Sequence, residues 1–185
     1  IDGLGGDNTR QAIAAFEKAA GLPQDGVLDA EVFRRLTAGD DGRVLTDYTI
    51  TAADLAGPFV GQVPANLTDM ARLQTVGYAT PLEMLAEKFH MTEGLLQALN
   101  PGADFGKAGQ TLVVAAVAQT DLAGDVAHIV VDKAERSVRV YDAADRLLAF
   151  YPATIGSSAR PAPSGELSVV GVAPEPNYTY DPDRV

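Results

Sequence analysis

A change of hydrophobic period constrains the fold of this 185-residue chain more than any other feature. As far as residue 100 the clear apolar patterns repeat at helical spacing, and from residue 126 they become short β-branched runs separated by polar turns. A helix buries a stripe of its surface and a strand buries alternate residues, so the two regions call for different packing. The expected class is α+β, with several modules in series.

The first 37 residues predict two short helices. Asp7 or Asn8 is a candidate cap for the first, Ala12, Ile13, Phe16 and Ala20 form its apolar stripe, and Gly21 with Pro23 ends it. Asp29 is the expected cap of the second, with Val32, Phe33 and Leu36 as its apolar residues. Below about 40 residues a piece without disulfide or metal rarely buries enough surface to stand alone. It either docks on a later part of the chain or has a partner upstream. Residues 38–72 are broken by Gly and Pro in "GDDGR" and "AGPFVGQVP" and read as a connector, with one possible strand in "RVLTDYTIT".

The sharpest local signal is "TPLE", where Thr80 is an N-cap hydroxyl, Pro81 fits the first helical position and Glu83 completes a capping box. Leu82, Leu85, Ala86 and Phe89 line one face of that helix. A second helix after Thr92 carries Leu95, Leu96 and Leu99 and stops at "NPG", because Pro101 lacks the N–H that would continue the ladder. With a short strand around "LQTVGY" and another in "TLVVAAV", residues 73–118 read as strand, helix, helix, strand. Farther on, "VAHIVVD", "SVRVYD" and "RLLAFYPATIG" predict an antiparallel meander, with "GELSVVGVA" as its next strand. That sheet is left with an open edge, which natural proteins normally cover.

Charge removes one class of partner. With 25 acidic against 14 basic residues the net charge is -11, which argues against nucleic acid and against an anionic membrane surface. No run approaches the ~18 apolar residues of a membrane span. The opening "IDGLGGDNTR" has neither an initiator Met nor a signal-peptide pattern, so the chain is expected to begin inside a longer protein. There is no cysteine, hence no disulfide, thiolate metal site or cysteine nucleophile in these residues. No metal and no cofactor is expected: "GADFGKAG" is one residue short of a P-loop and lacks Ser or Thr after Lys107, and "GLGG" has no strand before it. His90 and His128 read as structural, and Ser157, Ser158 and Ser164 sit in no G-x-S-x-G elbow.

Three stretches carry family resemblances. "NTRQAIAAFEKAAGLPQDGVLDAEVFRRL" resembles the second half of a peptidoglycan-binding helical domain, with Thr9, Ala12, Ile13, Phe16 and Glu17 in the places of its T-x-x-A-V-x-x-F-Q pattern. "GYATPLEMLAEKF", "LNPG" and "AGQTL" resemble a LysM module, a βααβ fold that binds N-acetylglucosamine-containing glycan. "HIVVD", "VRVYD", "YPATIGS" and "PAPSGEL" resemble the opening strands of the L,D-transpeptidase catalytic domain of the ErfK/YbiS/YkuD type, with Ala162 where relatives carry Thr. These resemblances set domain boundaries at 1–37, 38–72, 73–118 and 124–185.

The resemblance implies acyl transfer on peptidoglycan stem peptides in the periplasm or cell envelope. A Cys thiolate attacks a stem amide with a His as base, from "H-G" and "S-x-G-C-x-R" motifs that these residues do not contain. No catalytic residue is therefore expected here; the nucleophile and its His are expected beyond Val185, and these residues are expected to be inactive alone. The alternative is a non-catalytic peptidoglycan-binding protein. For glycan, the resemblance points to a shallow groove between Thr80 and Pro81 on one side and the backbone of Asn100, Pro101 and Gly102 on the other. Those last three residues equally serve to stop a helix and start a turn. Tyr178 and Tyr180 in "NYTYDP" offer apolar faces with hydroxyl handles, suited to an extended stem peptide.

Overall fold

The computed structural model describes residues 1–39, 43–73, 77–117 and 121–173. Its elements run in the order α1 (Asp7–Ala20), α2 (Ala30–Leu36), β1 (Leu45–Thr49), α3 (Leu67–Met70), α4 (Pro81–Lys88), α5 (Glu93–Leu99), β2 (Thr111–Ala115), β3 (His128–Asp132), β4 (Ser137–Tyr141) and β5 (Leu147–Pro152). Helices and antiparallel sheets together make this an α+β protein. The chain forms two compact units.

The first unit holds Ile1–Gly3 and Arg43–Val117. Its two-stranded sheet pairs β1 with β2 antiparallel, Leu45 opposite Ala115 and Thr49 opposite Thr111. The partner of β2 is thus the strand suggested by "RVLTDYTIT"; of the 73–78 segment, residues 74–76 lie outside the described residues. The β-branched content of β1 suits a pleated surface, and its alternating burial is that of a strand with one face covered. Ile50, Leu85, Ala86, Met91, Leu96, Leu112, Val114 and Ala115 form the buried core, with Leu82, Phe89, Leu95 and Leu99 packed against it. Leu85, Leu96 and Leu112 are wholly buried, each worth about 1.5–3 kcal/mol of transfer free energy.

Local signals set the helix ends of this unit. Thr80 Oγ1 accepts the Glu83 N–H at 3.1 Å, while the Glu83 carboxylate reaches back to the Ala79 N–H at 2.5 Å, one residue beyond the cap of an ideal capping box. Thr92 caps α5 by accepting from Leu95 N–H.

The second unit holds Leu4–Gly42 and Ala118–Leu167. Here β3, β4 and β5 form an antiparallel meander with a bulge between Val140 and Tyr141. Helix α1 packs on β5, so the short helical piece docks on a later part of the chain. The cap of α1 is Gly6, without a side-chain bond, and Asp7 is already helical; neither Asp7 nor Asn8 caps it. Asp7 instead pairs with Arg10 at 2.5 Å along the first turn. Asp29 does cap α2, accepting the Val32 N–H at 2.8 Å. Val32 is buried, whereas Phe33 and Leu36 are exposed.

Residues 165–173 are not a strand. Leu167, Val169, Val170 and Val172 are exposed, and the segment pairs with no strand among the described residues. Apolar alternation alone does not make a strand, because backbone N–H and C=O groups need a neighbouring ladder. The elbow before it is held differently: Lys133, in the β3–β4 turn, donates to the Ala162 carbonyl at 3.2 Å and to the Ser164 hydroxyl.

Candidate functional site

In the first unit the five positions expected to face glycan divide by what their atoms already do. Asn100 is buried, with Nδ2 donating to the carbonyls of Leu96 and Val113, both at 2.8 Å, and Oδ1 accepting the Val113 N–H at 2.6 Å. Its side chain is committed to joining the end of α5 to β2. The Thr80 hydroxyl is committed to the α4 cap, and Pro81 and Pro101 have no N–H to offer. Pro101 and Gly102 are exposed in the turn after α5. Tyr178 and Tyr180 lie outside the described residues.

A polar cluster that no sequence motif marks lies in the same unit. Tyr48 Oη donates to Asp54 Oδ2 at 2.6 Å, and the Thr51 N–H and Oγ1 donate to the same oxygen at 2.8 and 2.7 Å. Lys88 Nζ, at the end of α4, donates to Asp54 Oδ1 at 2.8 Å and to Tyr48 Oη at 2.6 Å. The Asp54 side chain is only 7% exposed. Burial opposes its ionisation, but the hydrogen bonds from Lys88, Tyr48 and Thr51 outweigh that and hold the carboxyl well below the usual carboxylate range. The bonds from Lys88 to Asp54 and Tyr48 raise the Lys88 pKa. Tyr48 also meets Phe89 edge-on, ring centres 4.8 Å apart. Every strong acceptor in the cluster is used internally, so it clamps β1, the turn after it and α4 to one another.

The second unit contains a concave feature. An open pocket of about 400 Å³ is lined by Lys18 and Ala19 from the end of α1, by Ala123, and by Asp145, Arg146, Leu147 and Leu148 from the β4–β5 turn and β5. The turn is shaped by Asp142, which is buried and accepts the N–H groups of Ala144 and Arg146, both at 2.9 Å, through Oδ1. Asp142 Oδ2 accepts Arg146 Nε at 2.6 Å. These bonds, the Arg146 N–H foremost, lower the Asp142 pKa and keep it an anion. Asp145 adopts φ 58°, the left-handed conformation that closes the turn.

Lys18 lies over the Tyr141 ring, 5.0 Å from its centre, and donates to Tyr141 Oη at 3.3 Å. His128 stacks on the same ring at 4.9 Å and 11°. Nothing local in the sequence links Lys18 to Tyr141, 123 positions away. The helix carrying Lys18 and the strand carrying Leu147 and Leu148 are each legible in the sequence; their convergence on one pocket is not.

Residues 1–36 match the family described as "Putative peptidoglycan binding domain". The chain is also 32% identical over 101 residues to the protein named "Putative L,D-transpeptidase YkuD" from Bacillus licheniformis. That alignment covers 54% of this chain and 59% of the relative, so the chain spans less than two thirds of the relative's length. The chain is thus similar to a peptidoglycan-binding family over residues 1–36 and, over 101 residues, to a protein named as a putative L,D-transpeptidase.

Proposed function

For a chain that carries a peptidoglycan-binding region and is similar to an L,D-transpeptidase, we propose a place at the bacterial cell wall, within the cell envelope. These residues hold the protein on peptidoglycan, and the whole protein transfers acyl groups between peptidoglycan stem peptides. The observation that carries the reading is the match of residues 1–36 to a peptidoglycan-binding family. It is supported by the docking of α1 on β5, which gives that short helical region the packing partner it needs.

The transfer needs a thiolate, and the 185 residues contain none. In this proposal the nucleophile is contributed by residues outside these 185, and the β3–β5 meander is scaffold. The absence of cysteine is also what favours a second reading, a peptidoglycan-binding protein without catalysis. The LysM-like reading of the first unit belongs to the proposal too. It is supported by the β1–β2 pair whose strands flank α4 and α5 in the sequence.

Two experiments test it. Retention of the purified chain on isolated peptidoglycan sacculi at low salt is the expected result, and free passage would remove wall binding. A carbapenem should leave the mass of these 185 residues unchanged and add one drug mass, on a Cys, to the product of a reading frame that extends past Val185 into H-G and S-x-G-C motifs. A stop codon after residue 185 would leave the binding protein as the surviving reading.

A further inference from the structure

The pocket of the second unit has two cations and one anion among its lining residues, Lys18, Arg146 and Asp145, with Ala19, Ala123, Leu147 and Leu148 as the apolar remainder. We propose that it binds a small zwitterion, a free α-amino-acid end, with the carboxylate on Lys18 and Arg146 and the ammonium on Asp145.

The state of each charge supports this assignment. Lys18 is paired with a phenol and an aromatic face, and with no carboxylate among the described residues. A positioned cation of that kind favours an anion locally, against the overall field of a chain of net charge -11. Arg146 is aimed by its Nε bond to buried Asp142, while 79% of its side chain stays in solvent. Asp145 is 87% exposed, and the nitrogen that faces it, His128 Nε2, lies 3.6 Å away, beyond hydrogen-bond range. An anion alone would meet repulsion from Asp145, and a cation alone would meet Lys18 and Arg146. A group carrying both charges on one carbon satisfies all three. The Leu and Ala lining suits a short aliphatic side chain, and a pocket of this size accommodates a small ligand.

The wall-binding proposal supplies one source of such a ligand, the amino-acid ends of peptidoglycan peptides; a free amino acid offers the same chemistry. The test is an NMR titration of the isotopically labelled chain with alanine, N-acetylalanine and alaninamide. Saturable shifts of the Ala19, Ala123, Leu147 and Leu148 amides are expected with alanine; N-acetylalanine should bind about tenfold more weakly because the contact to Asp145 is lost, and alaninamide more weakly still because the contacts to both Lys18 and Arg146 are lost. Lys18→Gln should reduce alanine binding about tenfold, by the loss of one of the two carboxylate contacts, while the rest of the spectrum keeps its wild-type pattern. Equal binding of either capped form, or no shifts at these four amides, would overturn the assignment. Soluble muropeptides binding more tightly than alanine would assign the ligand to the wall, and the reverse order to a free amino acid; both orders uphold the zwitterion site. Sacculus retention by the wild type without pocket shifts would sink the pocket and leave wall binding standing.

Discussion

Asn100 and Val113 are bonded to each other twice: the Asn100 amide donates to the Val113 carbonyl at 2.8 Å and accepts the Val113 N–H at 2.6 Å. The side chain thus acts as a short piece of strand, extending the ladder of β2 on the edge away from β1. A third bond, to the Leu96 carbonyl, satisfies one of the orphan acceptors at the end of α5. The "LNPG" stretch is therefore built around a buried amide with donors and acceptors matched on both sides.

Removing that amide should be costly. Asn100→Ala leaves a buried N–H and two carbonyls without partners and should destabilise the first unit by about 2–4 kcal/mol. Asn100→Asp keeps the acceptor and loses both donors, facing two carbonyls with a carboxylate, and should be at least as damaging. Urea unfolding monitored through the environment of Tyr48 reads the loss. A midpoint for Asn100→Ala indistinguishable from wild type would show the amide to be dispensable.

The Asp54–Lys88 pair predicts how stability varies with pH. Asp54 is depressed, so its contribution is fully present above its unfolded pKa and disappears as pH falls through the lower folded value. Lys88 is raised, so its contribution is present below its unfolded pKa and disappears as pH rises through the higher folded value. The first unit should hold its stability through neutrality and lose it below about pH 4 and above about pH 10. Asp54→Asn should lower the melting temperature at pH 7 and flatten the acid limb relative to wild type. Parallel acid limbs in the two proteins would mean that Asp54 does not carry the dependence.

The sequence makes legible whatever depends on neighbours a few residues apart. Thr80, Pro81 and Glu83 mark the start of α4, Asp29 marks α2, and the polar turns between apolar runs place β3, β4 and β5. Pairing over long separations is not legible. Leu45 meets Ala115 across a stretch with three helices of its own, and the nearer "LQTVGY" segment looks equally strand-like. The exposed valines of 169–172 show the opposite failure, β propensity with no ladder to join. The pocket is hidden for the same reason as the pairing of β1. Lys18 and Arg146 are ordinary surface cations in one dimension and share a rim only after α1 packs on β5.

Glu17 gives a third prediction. It is 1% exposed, and its Oε2 accepts the Gly26 N–H at 2.9 Å. A Gln carbonyl accepts the same bond and has no ionisable proton, so it places no formal charge away from water. Glu17→Gln, which restores the F-Q pair of the helical pattern it resembles, should match or exceed wild-type stability, by up to about 1 kcal/mol. Glu17→Ala abandons the Gly26 N–H and opens a cavity, and should lose about 2–3 kcal/mol. Calorimetry of the three proteins decides; a Gln variant as unstable as the Ala variant would mean that the carboxyl group itself is required.

Gly26 and Gly21 together separate two causes of glycine dependence. Both hold left-handed backbones, at φ 69° and 68°. A Cβ on Gly21 would meet nothing within 4 Å, so Gly21→Ala should cost only the conformational penalty, about 1 kcal/mol. A Cβ on Gly26 would lie 2.5 Å from Arg10 Cγ and 2.8 Å from the Arg10 carbonyl oxygen, which belongs to the backbone of α1 and has little room to yield. Gly26→Ala should therefore cost the same penalty plus a steric term and lose about 2–4 kcal/mol, comparable to forced overpacking. Both sites fall within residues 1–36, so under the wall-binding proposal sacculus retention should survive Gly21→Ala and weaken with Gly26→Ala in step with the lost fold. Equal destabilisation by the two substitutions would rule out the close approach of the Gly26 turn to α1.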